Sequence, residues 1–454
     1  MSMDVREGVQ ARIDRWRAYV LAHGGTEAGA AVIEGQLRDH AASLGAAGLN
    51  PEEAFLVALR RVGASDEASR NFARAYCDEL WIQPIETADE QSRPHGATTE
   101  LLVMLGCAVA AAVAIKVPAL FGYEFSGDAA AFYARNLSLF VLPFLALYFI
   151  WKRGLSRKGV GGLAAVFIAA AVFANAYPFG PGASTEVLTA IHLPIALWLV
   201  VGVAYLAGEW RSNARRLEYV RFTGEWLINY ALIALGGGVL VALTVGTFEA
   251  IGLNVGPLIE EWVLPCGAMG AVIVAAWLVG TRRNLVGGMA PMLARVFTPL
   301  FAVMLVALLG GVIWTRGIID IEREVLILFD VLLVVVLALL LYAVSARDPL
   351  AKPGLFDWIQ LVLVVCALAV DVFALVNIAA RLTTYGFSAN KTAALGLNLI
   401  LLVNLAWSAF LQTGFLGSRR SFEPVERWQM RYLPVYALWA GIIVAAFPPL
   451  FGFA

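Results

Sequence analysis

Residues 325–345 read VLILFDVLLVVVLALLLYAVS and carry a single charged side chain, Asp330. Crossing the hydrocarbon core of a bilayer takes about 20 apolar residues at a rise of about 1.5 Å each, so this stretch is long enough to span it. Similar runs alternate with short polar loops from Leu101 to the end of the chain. The sequence therefore predicts an all-α polytopic membrane protein with about eleven transmembrane helices. They are 101–121, 133–151, 160–177, 187–208, 226–252, 261–280, 292–314, 325–345, 357–380, 393–413 and 433–451.

The composition supports a membrane protein and excludes several other classes. Hydrophobic residues make up 60% of the chain and charged residues 15%, which is outside the usage of soluble domains. The lipid bilayer is thus the expected partner. A net charge of −1 provides no basic field for nucleic acid. The four cysteines have no close spacing, so we expect neither a disulfide framework nor a zinc site.

The distribution of Lys and Arg predicts the orientation. With the N-terminus in the cytoplasm, seventeen of these residues fall in inner loops and five in outer loops. The outer five are Arg135, Arg316, Arg323, Arg381 and Lys391. This positive-inside bias predicts a multi-pass protein of the plasma (inner) membrane with a cytoplasmic N-terminus and an external C-terminus.

Residues 1–82 have the pattern of a small cytoplasmic helical bundle. Ile33, Leu37, Ala41 and Leu44 share one helical face. A second face is formed by Phe55, Ala58, Leu59 and Val62, after a helix start at Asn50-Pro51-Glu52-Glu53. The start of the chain, 1–16, is charged and does not resemble a cleavable signal peptide. Residues 83–99 read as a polar linker with Pro84 and Pro94, and 100–454 as the transmembrane domain.

Ionisable residues inside the predicted spans are the main candidates for a functional site, because they are costly in hydrocarbon. Asp371 is the deepest, about 20 Å from the inner edge of its span. We hypothesise that these groups line an outward-facing polar cavity, in which Asp371 faces Asp330, Lys116 or Arg381. The binding candidates are Asp371, Asp330, Arg381, His192, Glu249, Lys116, Tyr385 and Asn390.

Each candidate also has a purely structural interpretation. Lys116 can extend its amino group to the outer surface, and Glu249 and Arg381 can be anchors at the interface. His192 can be a hydrogen-bonded interior residue. A carboxyl group at the depth of Asp371 would have to be paired or protonated.

Two backbone features add weaker candidates. Gly236-Gly237-Gly238 in the fifth span permits close helix packing or local unwinding around a ligand. In the outer hairpin 381–391, Ser388 or Asn390 can cap the tenth helix, whose free N–H groups would favour an anion near Arg381. A structural turn explains this hairpin equally well.

Motifs of metalloproteases, P-loop ATPases and serine hydrolases are missing from the sequence. His192 is the only histidine in the predicted spans. We therefore expect no metal site, no cofactor and no catalytic residues of these classes, although chemistry by scattered carboxylates stays open.

Three stretches, 225–280, 381–391 and 432–440, which lie in roughly the second half of the chain, resemble a family of bacterial polytopic membrane proteins catalogued as domain of unknown function 4153. They include EWLINY at 225–230, EWVLPCG at 261–267, RLTTYGFSANK at 381–391 and YLPVYALWA at 432–440. The resemblance implies a helical membrane domain. This family has no established activity, so it assigns no catalytic residues.

A second resemblance concerns the N-terminal domain. Residues 37–40, LRDH, followed by GLNPEEAF at 48–55 and ALRRVG at 58–63, resemble the permease-prefix (HAAS-type) helical domain. That domain precedes bacterial permeases and signalling membrane proteins. The resemblance implies a cytoplasmic protein partner for this domain as one alternative.

Three functions are consistent with the sequence. The first is a permease-like protein that handles a small solute, an ion or a lipid-related molecule. The second is a sensor or regulatory scaffold that signals through the N-terminal domain. The third is a membrane enzyme acting on a lipid-linked substrate. The sequence does not specify the substrate, the transport direction or the oligomeric state.

Overall fold

The computed structural model describes residues 13–14, 16–17, 20–21, 27–46, 54–55, 57–59, 97–123, 125, 129–250, 253–281, 289–315, 323–347, 351–417 and 419–454. Helices account for 88% of these residues, and none of them lies in a strand, which confirms the predicted all-α fold. The chain divides into two compact units, Met1–Arg93 and Pro94–Ala454.

The first unit contains helix α1, Glu27–Ala46, and shorter helical pieces around it. Its core is apolar and includes Ile13, Trp16, Leu37, Phe55 and Leu59, all almost fully buried. Both predicted helical faces therefore point inward where they are described. Val62, the helix start at 50–53 and the predicted linker up to residue 96 lie outside the described residues.

The second unit is built from long helices with short connections. They are α2 (Ala97–Ala114), α3 (Ala130–Arg153), α4 (Arg157–Ala176), α5 (Ser184–Tyr205), α6 (Asn213–Ala250), α7 (Leu264–Thr281), α8 (Met289–Thr315), α9 (Arg323–Ala346), α10 (Leu355–Tyr385), α11 (Ala389–Leu416) and α12 (Glu423–Ala445). A 3-10 helix (Val117–Phe121) follows α2, a short α-helix (Gly256–Leu258) and a π-helix (Ile259–Val263) precede α7, and Phe447–Leu450 forms a last short helix.

Ten of the eleven predicted spans coincide with helices of the described chain that are long and apolar enough to cross a membrane, α2 to α11. The eleventh, 433–451, does not belong to this set. It lies in α12, which begins ten residues earlier than predicted, at Glu423. Polar side chains in its first half, including Arg427, Gln429 and Arg431, lower the hydropathy of the helix.

Two hydrophobic cores stabilise this unit. The first lies among α2 to α7 and includes Leu145, Leu197 and Ile273. The second lies among α8 to α12 and includes Leu333, Val364 and Leu401. Helix α12 packs against both α5 and α11 and so joins the two groups of helices.

Helices α10 and α11 form a long antiparallel hairpin in the second group. Gly386 ends α10 at a φ of 72°, where a residue without Cβ is favoured, and its N–H donates to Leu382 O. At the opposite end of the hairpin, Asp357 accepts a hydrogen bond from Gly354 N at 2.8 Å and fixes the first turn of α10. The hairpin thereby holds the middle of α10 against α11.

Candidate functional site: a buried carboxyl pair

Asp371 lies close to the middle of α10, sixteen residues after Leu355 and fourteen before Tyr385. Its side chain has no exposed surface. Neither of its carboxyl oxygens accepts a hydrogen bond from any residue that the structure describes. Buried polar atoms are nearly always hydrogen-bonded, so this carboxyl group requires an explanation.

A second carboxyl group, on Asp330, belongs to a neighbouring helix of the same group. Asp330 of α9 is half-buried and is close enough to Asp371 for the two groups to interact electrostatically. Asn398 of α11, which is fully buried, donates from Nδ2 to Asp330 Oδ1 at 2.8 Å. The Oδ1 atom of Asn398 has no donor among the described residues. Asp330 is thus linked to Asn398 by a hydrogen bond and to Asp371 by electrostatic interaction, and Asp371 and Asp330 together are called the carboxyl pair.

The chemistry of this group follows from charge and burial. Two carboxylates in one dry site repel each other when both are ionised. An isolated buried charge costs several kcal/mol or more, so the site is stable only when a proton or a cation neutralises at least one of the groups. The arrangement is therefore suited to taking up and releasing a small positive charge.

Asp371 and Asp330 are within range of electrostatic interaction, whereas Lys116 contacts other residues. Lys116 Nζ donates to Glu261 O at 2.7 Å, in the π-helix before α7. The same amino group lies 4.3 Å from the Trp262 ring centroid and 4.7 Å from that of Phe125. Lys116 therefore has a hydrogen-bond acceptor and two aromatic rings as neighbours.

His192 and Glu249 also lie outside the carboxyl pair. His192 Nδ1 is 2.8 Å from Leu188 O, the carbonyl one turn earlier in α5, which matches the structural interpretation of this histidine. Glu249 is exposed near the end of α6. Neither residue belongs to α9, α10 or α11.

The remaining candidates lie at the hairpin end of α10 and α11. Arg381 is half-buried ten residues after Asp371, and Asn390 is half-buried in the first turn of α11. Tyr385 is 75% exposed, and its carbonyl oxygen lies 3.5 Å from Lys391 Nζ. Ser388 occupies the N-cap position of α11 without a side-chain capping bond, so the predicted side-chain cap is wrong.

The glycine run also differs from both interpretations of the sequence. Helix α6 continues through Gly236, Gly237 and Gly238, so the helix is not unwound there. A Cβ at any of the three would have no neighbour within 4 Å among the described residues, so they do not mediate close packing within this unit either. The second half of α6 instead presents exposed apolar residues such as Leu235 and Leu243.

Our sequence analysis missed a set of neutral polar residues. Asn404, Ser408 and Gln412 of α11 and Gln429 of α12 are all buried. Gln429 Nε2 donates to Asn404 Oδ1 at 2.9 Å and to Ser408 Oγ at 2.6 Å. Trp428 Nε1 donates to Asn404 Oδ1 at 3.0 Å, and Asn404 Nδ2 also donates to Tyr436 Oη. These side chains carry no charge and are therefore less conspicuous in an apolar run than Asp371, although their spacing along α11 is visible in the sequence.

The described residues contain no group of three or more His, Cys, Asp or Glu side chains that could hold a metal ion. No family model, curated protein or solved structure matches this chain. The two family resemblances therefore stay predictions, and the function is argued from the carboxyl pair.

Proposed function

We propose that this chain is a permease-like integral membrane protein that moves a small solute or ion, and that Asp371 and Asp330 form its charge-coupling site. The observation that carries the proposal is the surroundings of Asp371. This carboxyl group is completely buried, has no hydrogen-bond donor among the described residues and is within electrostatic range of a second carboxyl group, Asp330.

A purely structural role would leave this arrangement unexplained. Other carboxylates of the described residues with low exposure do have cationic partners, as Asp357 has in Arg347 at 2.8 Å and Glu100 has in Lys152 at 2.5 Å. An unpaired acid inside a membrane protein costs stability, and such residues are typical of ion and proton pathways. A carrier needs a site that is closed to both sides in one of its states, and a fully buried Asp371 fits such a closed state.

Orientation and family form part of the proposal. The positive-inside bias supports a bacterial inner-membrane protein with the N-terminus in the cytoplasm and the hairpin end at 386–388 outside. In the outward-open state, Arg381 and Asn390 would then flank the opening toward the carboxyl pair. The resemblance to domain of unknown function 4153 is consistent with this arrangement.

The test uses full-length protein reconstituted into vesicles. Proton influx is followed with an entrapped pH-sensitive dye under an imposed potential, and sodium uptake is followed in parallel with radioactive Na⁺. We expect flux of one of these ions, and Asp371→Asn should reduce it to the level of protein-free vesicles. Glu249→Gln is the matched control, because it makes the same chemical change at an exposed position. The proposal fails when wild-type protein carries neither ion, or when Asp371→Asn conducts like the wild type.

A sensor or regulatory scaffold is the second candidate, and the separate first unit favours it. Residues Met1–Arg93 form a compact unit with its own apolar core. Such a domain could pass a signal from the membrane to a cytoplasmic protein. Deleting residues 1–95 distinguishes the two functions, because a permease would keep its ion flux and a sensor would lose its partner. The third candidate, an enzyme on lipid-linked substrates, needs carboxyl groups open to lipid, and the burial of Asp371 does not favour it.

A further inference from the structure

Helix α11 carries a row of buried polar side chains that begins at the carboxyl pair. Asn398, Asn404, Ser408 and Gln412 are each at most 4% exposed. At about 100° per residue, their spacing of six, four and four positions places them within an arc of about 120° on one face of the helix. Such a row in an otherwise apolar helix is costly unless each group has a polar neighbour.

Helix α10 contributes to the same row. Gln360, which is 3% exposed, precedes Asp371 by eleven residues, or three helical turns, so both lie on one face of α10. Gln360 is five residues from the start of α10, and Gln412 is four residues from the end of α11. Because the two helices are antiparallel, both glutamines lie at the end of the hairpin opposite Gly386.

The depths form a continuous series. Measured from the hairpin end at about 1.5 Å per residue, Asn398 lies at about 14 Å, Asp371 and Asn404 at about 21 Å, Ser408 at about 28 Å and Gln412 at about 35 Å. Successive polar groups of α11 are therefore separated by about 9, 6 and 6 Å along the axis. A water molecule can bridge two groups at such a separation, once side-chain reach is included.

The middle of the row and its two ends differ in how their polar atoms are hydrogen-bonded. In the middle, Asn404 and Ser408 are satisfied by Gln429 of α12, and packing between α11 and α12 is enough to explain them. At the ends, both side-chain polar atoms of Gln412, Nε2 of Gln360 and Oδ1 of Asn398 have no partner among the described residues. Helix packing does not explain these groups, whereas buried atoms of this kind commonly bind water.

We propose that this row lines a hydrated path along α11 that delivers protons or small cations to Asp371 from the end of the hairpin opposite Gly386. The proposal rests on the function proposed above, which requires a charge to reach the carboxyl pair. Gln360 and Gln412 form the entrance, and Ser408 and Asn404 form the middle section.

Hydration of the path is measured by X-ray radiolysis, which produces hydroxyl radicals from water and oxidises side chains next to it. In a cysteine-free background, Ser408→Cys and Gln412→Cys are compared with Leu405→Cys. Leu405 lies on the same helix and is fully buried but apolar, so it is the matched control. We expect the first two cysteines to be oxidised several-fold faster than the third. Equal rates at positions 405, 408 and 412 would overturn the path.

A second measurement uses ion flux, in case the cysteine variants do not fold. Gln412→Leu should lower the flux several-fold while leaving the protein folded, because this glutamine has no hydrogen-bond partner to lose among the described residues. An unchanged flux contradicts the path. The two proposals can fail separately. If the flux depends on Asp371 but not on Gln412, only the proposed path is contradicted. If the cysteines at 408 and 412 are oxidised rapidly but Asp371→Asn has normal flux, only the proposed coupling role of Asp371 is contradicted.

Discussion

Helix α10 contains two buried aspartates with opposite surroundings. Asp357 accepts hydrogen bonds from Arg347 Nε at 2.8 Å and from Gly354 N at 2.8 Å, whereas Asp371 accepts none from the described residues. The first aspartate contributes to stability, because its charge is matched where it lies. The second is unfavourable for stability, and residues of this kind are concentrated at functional sites.

This contrast gives a prediction about stability at the residue scale. Asp357→Asn should destabilise the protein by about 1–3 kcal/mol, because it removes one charge of a largely buried ion pair and weakens the three hydrogen bonds that Asp357 accepts. Asp371→Asn should leave the melting temperature in detergent unchanged or raise it, because an amide needs no counter-charge. Melting temperatures of the two variants and the wild type provide the measurement. A strongly lowered melting temperature in Asp371→Asn would show that the carboxylate has a structural partner.

The residues of the carboxyl pair could be predicted from the sequence, but their neighbours could not. Asp371 and Asp330 are conspicuous because a charge in an apolar run is rare and costly. Whether such a charge meets Lys116, Arg381 or Asp330 depends on how the helices pack, and one sequence contains no direct information about that packing. Lys116 is an example of a contact that the sequence could not predict, since its hydrogen-bond acceptor, Glu261 O, is a backbone atom in a π-helix.

At the scale of the helices, glycines distinguish close contacts from open faces. A Cβ at Gly396 of α11 would overlap the Trp439 ring of α12. A Cβ at Gly236 of α6 would have no neighbour within 4 Å among the described residues. The same residue type therefore has a packing role in one helix and none within this unit in the other.

Gly396→Ala should lower stability by about 1–3 kcal/mol, because the added methyl group forces α11 and α12 apart or moves the indole ring. Gly236→Ala is the matched control and should be neutral or stabilising, since alanine favours the helix by about 0.5–1 kcal/mol. Thermal unfolding of both variants in detergent measures the difference. Equal melting temperatures would mean that the contact between Gly396 and Trp439 does not form.

Hydropathy predicted the existence of ten helices well but misplaced several of their ends. Helix α6 starts thirteen residues before the predicted span at 226, in a segment that contains Arg215, Arg216 and Arg221. This extension is stabilised by packing, because Tyr219 and Phe222 are buried in the first core. A hydropathy window detects only the apolar part of a helix. It therefore misses polar turns that continue the same helix beyond that part. It also overestimates how apolar α12 is.

At the scale of the whole molecule, the site and the proposed path lie in one group of helices. Asp330, Asp371, Asn398 and Gln412 belong to α9, α10 and α11, which share the second core. The first core, among α2 to α7, contains aromatic contacts such as that between Tyr205 and Phe222 at 4.5 Å. The polar row is therefore confined to the second group of helices, including α12, which packs against both groups.

The side of the membrane on which the proposed path opens depends on the orientation of the protein. This orientation can be tested at two exposed positions. Tyr385, at the hairpin end, and Ser212, in the connection before α6, lie in predicted outer and inner loops respectively. In intact cells, a membrane-impermeant thiol reagent should label Tyr385→Cys in a cysteine-free background. Ser212→Cys should be labelled only after permeabilisation, because the positive-inside bias predicts that the loop with Arg211, Arg215 and Arg216 is cytoplasmic. The reverse pattern would place the entrance at Gln360 and Gln412 outside, and the path would then supply Asp371 from the external medium.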